Sequence, residues 1–165
     1  RFIVHARKAI LKGLSPKANR TIPPLRYDIV EKLKDENPNL LIEINGGFTN
    51  IDDCSTALKK FDGIMIGRSA YNHPLNWTEI DNKVYKDKFC TKKASTIILN
   101  LIPYIDEFMK KEGTTWPICK HLINLVEGIP NAKKWRNTIS TESISKKLTI
   151  ERLTRLTLKI KELGY

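Results

Sequence analysis

Residues 41–68 read LIEINGGFTNIDDCSTALKKFDGIMIGR, and the runs and breaks in this stretch decide the fold. Two apolar runs, Leu41–Ile44 and Gly63–Ile66, stop at glycine, the first at Asn45-Gly46-Gly47 and the second at Gly67-Arg68. Between them Ile51 to Phe61 has helical spacing, with Ile51, Leu58 and Phe61 apolar and Asp52, Asp53, Lys59 and Lys60 polar. Strand, glycine turn, helix, strand, glycine turn is a βαβ pattern, because buried parallel strands present short apolar runs. In a (β/α)₈ barrel the loops after the last two strands commonly bind phosphate. Glycine lets backbone N–H groups approach an oxyanion, and arginine adds permanent charge and a planar fork of donors. The expectation is a phosphorylated cofactor at these two turns. Asp52 and Asp53 suit the N-terminal dipole of the intervening helix, and Cys54, with acidic neighbours, reads as structural.

Upstream, Phe2-Ile3-Val4 reads as a strand running into His5-Ala6-Arg7-Lys8, so potential cations sit at a strand end, where barrel enzymes place functional groups. Two readings are open for His5: a functional group, or a ring that bonds a neighbouring carbonyl. Ile10–Leu25, with Gly13, Pro16, Pro23 and Pro24, reads as a loop without an element. It carries Lys12, Lys17 and Arg20, and long loops in compact domains are usually functional. A helix through Asp28, Val30 and Leu33 ends at Asn37-Pro38, and Leu40 begins the next strand.

Downstream, Ser69–Pro74 reads as a loop and residues 76–93 as a polar, basic, irregular linker. From Ala94 the spacing is helical: Ile97, Ile98, Leu101, Ile102, Ile105 and Phe108 recur at three and four residues, with Pro103 expected to kink or divide the run. Pro117–Val126 gives a second helix, Asn131–Arg136 a basic segment, and Ser143–Leu163 one final amphipathic helix. The organisation expected is therefore α/β: residues 1–75 as three βα units forming the C-terminal portion of a TIM (β/α)₈ barrel, then the linker, then a small all-α helical domain over 94–165. His121 is expected to pack or bond within the bundle, and Trp135 reads as a core anchor, with a base-stacking platform as the alternative. Lys133 and Arg136, three apart, share a helical face that either is solvated surface or grips phosphates.

Lys and Arg number 29 against 18 Asp and Glu, a formal net charge of +11. A solvated lysine-rich surface is one explanation, and a polyanionic partner, nucleic acid first, is the other. No apolar run approaches a membrane span of roughly 18–20 residues, and no signal-peptide pattern is present. Cys54, Cys90 and Cys119 form no CxxC pair, which argues against a disulfide framework and a zinc site and for a reducing interior. A cytoplasmic setting is expected, or an organelle interior if a transit peptide precedes. The chain begins at Arg1 and runs straight into an apolar strand, which raises the expectation that it is the C-terminal part of a longer protein.

Five segments carry a family resemblance: His5-Ala6-Arg7-Lys8-Ala9, Leu14–Arg20, Ile22-Pro23-Pro24-Leu25, Ile44-Asn45-Gly46-Gly47 and Met65-Ile66-Gly67-Arg68. They are similar to the tRNA-dihydrouridine synthases, most closely the bacterial A-type branch, and Gly128–Arg136 resembles that branch's helical-domain signature. The resemblance covers nearly the whole chain. It implies an FMN-containing barrel followed by a helical tRNA-binding domain, and reduction of the C5–C6 bond of a D-loop uridine, in the region of position 20, with NADPH. By position it implies that His5 contacts FMN, and that Asn45, Gly46, Gly47, Gly67 and Arg68 hold its ribityl-phosphate end. Arg7, Lys17, Arg20, Lys133 and Arg136 fall at tRNA-contacting positions. Lys133 stands where the family commonly has arginine, keeping the charge but losing the bidentate fork.

The resemblance further implies a proton-donating cysteine and a flavin-side lysine in the earlier half of the barrel, so no catalytic residue is assigned here. No metal, membrane or oligomer is called for. Two rivals are weighed: another FMN- or phosphate-binding barrel oxidoreductase acting on a small molecule, and a non-catalytic RNA-binding module. Neither gives the basic loop, the helical appendage and the glycine turns a joint purpose. With about three of eight strands the barrel cannot close. This chain alone is expected to form no dihydrouridine from NADPH and tRNA, and turnover by it would refute that.

Overall fold

A computed structural model describes residues 1–88 and 93–165; Cys90 lies outside the described residues. The chain folds as two compact units. The first holds Arg1–Ala70 with Glu79–Lys88, and the second holds Tyr71–Thr78 with the helical residues that follow the linker.

In the first unit, strands β1 (Phe2–His5), β2 (Ile42–Asn45) and β3 (Gly63–Met65) form a parallel sheet in that order. Val4 pairs with Ile44 and His5 with Asn45, while Ile44 pairs with Ile64 and Asn45 with Met65. The central strand is buried, with Ile42 and Ile44 at 1% and 0% exposure, whereas Phe2 and Ile3 on β1 are more than half exposed. Between β1 and β2 run a single helical turn, α1 (Pro16–Asn19), and helix α2 (Tyr27–Glu36); α3 (Ile51–Ala57) joins β2 to β3.

The element in 10–25 is a departure from the expected bare loop. Ser15 accepts from the Ala18 N–H and Pro16 opens the turn, so one capped turn forms where periodicity is too short to show. Asn19 then pins the loop, accepting from the Ile10 N–H at 2.8 Å and donating to the Ile10 carbonyl at 2.9 Å. In α3 the cap is Asn50, whose side chain accepts from the Asp53 N–H at 2.8 Å; Asp52 and Asp53 fill the first turn. That helix ends at Leu58, and Phe61 returns to the core through turns, not through a helix reaching Phe61.

The stretch after Gly67 also holds more structure than expected. Short helix α4 (Arg68–Asn72), a 3₁₀ turn at Pro74–Trp77 and helix α5 (Ile80–Lys83) lie within the anticipated loop and the first part of the linker expected over 76–93, of which 89–92 are outside the described residues. Each is four or five residues long, below the length at which apolar spacing is legible.

In the second unit α6 (Ala94–Glu112) is one helix through Pro103. Pro103 is exposed and removes one helical donor, to the Leu99 carbonyl, yet the helix is not divided there. Gly113, at φ 66°, ends it by donating to the Met109 carbonyl. Helix α7 (Trp116–Leu122) continues as a 3₁₀ turn to Val126, and α8 (Ala132–Ile144) follows. The single final helix expected over 143–163 is in fact two pieces. The Lys147 and Leu148 N–H groups both donate to the Glu142 carbonyl, Lys146 takes φ 59°, and Thr149 caps α9 (Ile150–Glu162). Ile98, Ile105, Val126, Trp135, Ile139, Leu153 and Ile160 make one core, and Thr115 donates to Ser143 inside it at 3.1 Å. His121 stays exposed, in edge contact with Tyr71.

Leu153 is fully buried between the helices of this core. Leu153→Ala is expected to cost about 2–5 kcal/mol in urea unfolding followed by tryptophan fluorescence. A loss well below 1 kcal/mol would show that this core is not packed as described.

Candidate functional site

The three strands end side by side, and the register of β1 on β2 sets His5 against Asn45. The glycine pair therefore emerges directly beside Ala6 and Arg7. The Ala6 N–H donates to the Asn45 carbonyl at 2.8 Å, and the Arg26 N–H donates to the Ala6 carbonyl at 2.7 Å. An antiparallel bridge between Arg7 and Leu25 lays the returning end of the long loop along the strand ends.

Leu25 and Tyr27 then close over the turn. Gly46 and Gly47 have φ of 130° and 81°, in the region that disfavours side chains. A Cβ on Gly46 would stand 2.9 Å from Leu25 Cδ2; one on Gly47 would stand 2.6 Å from Leu25 Cδ1 and 3.0 Å from the Tyr27 hydroxyl. That hydroxyl donates to the Gly46 carbonyl at 2.5 Å, and the Tyr27 ring stacks on buried Phe48 at 5.6 Å. Conformation and packing thus both demand glycine here. Gly67 differs: a Cβ there would meet no atom within 4 Å, so space is open beside Arg68.

Guanidinium groups converge on this edge. His5 is half-buried, and its pKa is lowered first by burial and then by the charges of Arg7, Arg68 and Arg20. Arg68 donates to the Arg20 carbonyl at 3.2 Å, tying the turn after β3 to the long loop. Arg7 donates through Nη1 to the Pro23 carbonyl, and its buried Nε has no partner. An unpaired buried donor of a charged group is costly, and here it lies among the other cations. Asn45 Nδ2 is 3.3 Å from Met65 Sδ.

The structure thus brings together His5, Arg7, Arg20, Asn45, Gly46, Gly47, Gly67 and Arg68. Lys17 lies exposed on α1. Lys133 and Arg136 belong to the second unit, on α8, with Lys133 exposed and Arg136 half-buried. Tyr27 was not foreseen and Leu25 only as the end of the Ile22–Leu25 segment, with no role; both act through contacts some twenty residues away in sequence. Neither described cysteine is an activated thiolate. Burial, with Asp53 second, pushes the Cys54 thiol up, and burial pushes Cys119 up against bonds from Ser143 and Thr115. Among the described residues no group of three or more His, Cys, Asp or Glu could hold a metal, and no helix is long and apolar enough to cross a membrane.

The donor set suits a phosphate monoester. Converging guanidinium charges and the open space at Gly67 are what such a dianion needs.

The family model described as dihydrouridine synthase matches residues 1–161. The tRNA-dihydrouridine(20/20a) synthase of Synechocystis sp. is 44% identical over 144 residues, covering 87% of this chain and 43% of that protein. The proteins of the same name from Pseudomonas putida and Shewanella oneidensis are 41% and 42% identical over 141 and 139 residues, covering 86% and 84% of this chain and 42% of each relative. The chain spans less than half the length of these relatives.

The lowered pKa of His5 fixes a pH dependence. Between the depressed folded value and about 6.5, the unfolded chain takes up a proton that the folded chain refuses. This contribution to stability is present above the unfolded pKa and is lost as pH falls through that window. In an NMR titration, His5 Cε1–H should move with a pKa below the ordinary histidine value, and Arg68→Gln should raise it. A His5 titrating at or above that value would remove the guanidinium cluster. Gly47→Ala is expected to destabilise the chain by at least about 1 kcal/mol, since strain and a clash add; an unchanged urea midpoint would contradict the packing of Leu25 on the turn.

Proposed function

This chain belongs to the dihydrouridine synthase family, and on that premise we propose that it supplies the phosphate-holding end of an FMN site and a helical tRNA-binding unit to an A-type tRNA-dihydrouridine synthase. The convergence of Arg7, Arg20 and Arg68 on His5, beside the Gly46-Gly47 turn, is the observation that carries this reading. In the whole protein β1, β2 and β3 are the last strands of a (β/α)₈ barrel, and the site stands at its C-terminal face.

Arg68 and the backbone N–H groups of Gly46, Gly47 and Gly67 hold the cofactor phosphate. Asn45, at the end of the central strand, orients the ribityl chain. His5, kept neutral by burial and the surrounding cations, offers one N–H donor and one lone pair to the ring system without adding charge. When bound, the flavin supplies the two-electron chemistry that passes reducing equivalents from NADPH to the uracil C5–C6 bond. The family resemblance assigns the proton donor and the flavin-side lysine to the rest of the whole protein, and burial of the Cys54 and Cys119 thiols, which favours their protonated form, is in keeping with that.

A uridine in folded RNA must leave its stack to reach a flavin, at a cost of a few kcal/mol. Lys17 and Arg20, on the loop pinned by Asn19 and the Arg7–Pro23 bond, offer phosphate contacts at the barrel face. Lys133 and Arg136 lie three apart on α8 and contribute further phosphate contacts.

In the whole protein Arg68→Ala is expected to reduce bound flavin per chain by about tenfold or more, read as visible absorbance after gel filtration. Lys133→Ala with Arg136→Ala should leave flavin content unchanged, raise KM for tRNA and reduce the salt slope of tRNA binding by about 2. Full flavin retention by the Arg68 variant would overturn the phosphate assignment.

A further inference from the structure

On the second unit, helices α8 and α9 pack against different partners, α7 and α6 respectively, and a cleft of about 360 Å³ opens where they part. Its lining is of two kinds. Trp135, Leu156 and Ile160 make an apolar floor, and Lys134 and Lys159 stand at it as cations. Among the described residues no carboxylate pairs with either lysine. Arg152 also lines the cleft, but Glu142 already holds it at 3.1 and 3.3 Å. Trp135 is 6% exposed, and its indole N–H has no acceptor.

A ligand matching this cleft carries an anion for the lysines and a flat apolar body for the floor. An inorganic anion would leave the floor unused, and an acidic peptide would bring charge without a flat body. We infer that the cleft seats one unstacked nucleotide of an RNA chain, its phosphate at Lys134 and Lys159 and its base over Trp135, Leu156 and Ile160. The identity of the partner as RNA rests on the proposed tRNA-binding reading; the cleft and the unpaired lysines are independent of it. Lys134 and Lys159 are distinct from Lys133 and Arg136, so the helical unit carries a pocket in addition to a charged face. The chemistry is the one single-stranded RNA sites share, a backbone cation pair beside a stacking or packing surface.

The test is an NMR titration of the chain with a uridine pentanucleotide, following the indole N–H signals of its tryptophans. The Trp135 signal should shift saturably with the pentanucleotide and stay in place with inorganic phosphate at equal concentration. Lys134→Ala with Lys159→Ala should weaken binding about tenfold. Lys110→Ala with Lys111→Ala removes the same formal charge from α6, where both lysines pair with carboxylates, and should change affinity less than about twofold. Equal losses in the two double variants would overturn the inference, as would a Trp135 signal that is unmoved while the RNA saturates or that moves as far with a polyglutamate peptide. If those results came while Lys133→Ala with Arg136→Ala still impaired tRNA binding by the whole protein, the cleft alone would fall. A whole protein with no affinity for tRNA would instead remove the proposed function, and the inference with it.

Discussion

The site depends on one constraint: the backbone after β2 must turn through two left-handed residues beneath Leu25 and Tyr27. Positive φ at Gly46 and Gly47 admits no ordinary side chain, and the side chains pressing on them would reject a methyl group in any case. The Tyr27 hydroxyl satisfies the Gly46 carbonyl, so a buried acceptor in a tight turn is not left bare. Tyr27 is also the first residue of α2, and its ring rests on Phe48. The helix after the long loop, the turn after the central strand and the register of the sheet are therefore fixed together. The placing of the turn beside Arg7 and the strand ends follows from that geometry.

Electrostatics give the site its sign. Guanidinium groups near one histidine would be a liability in a closed core, and Arg7 Nε remains unpaired there. A bound anion would offset the mutual repulsion of these guanidinium groups. Their charge also keeps His5 neutral, which preserves a ring able both to donate and to accept. The same unit leaves Phe2 and Ile3 of β1 more than half exposed. β1 is thus an apolar edge strand among the described residues, and the chain spans less than half the length of its relatives.

Much of this was legible in the sequence because glycine and proline mark where runs stop. The βαβ pattern of 41–68, the helix ending before Pro38 and the helical character from Ala94 all follow from apolar spacing and its interruptions. Elements of four or five residues at 16–19, 68–72 and 80–83 left no period to read. The break between α8 and α9 was hidden because no glycine or proline marks it; Lys146 takes the left-handed conformation and Thr149 restarts the helix. Of the two outcomes expected at Pro103, a kink or a division, the division does not occur, since an exposed proline need not interrupt a helix that is held by its buried face. At the site, the residues at strand ends were evident, while Tyr27 and Leu25, which hold the glycine turn in place, act only through tertiary contact.

The most direct measurement is the visible absorption spectrum of the whole purified protein, before and after NADPH, and again after tRNA lacking dihydrouridine is added. A flavin band that NADPH bleaches and this tRNA restores is the outcome the assignment requires. A bleached flavin that tRNA leaves reduced would make the protein a flavoenzyme of another substrate, and a protein purified without flavin would remove the cofactor site altogether.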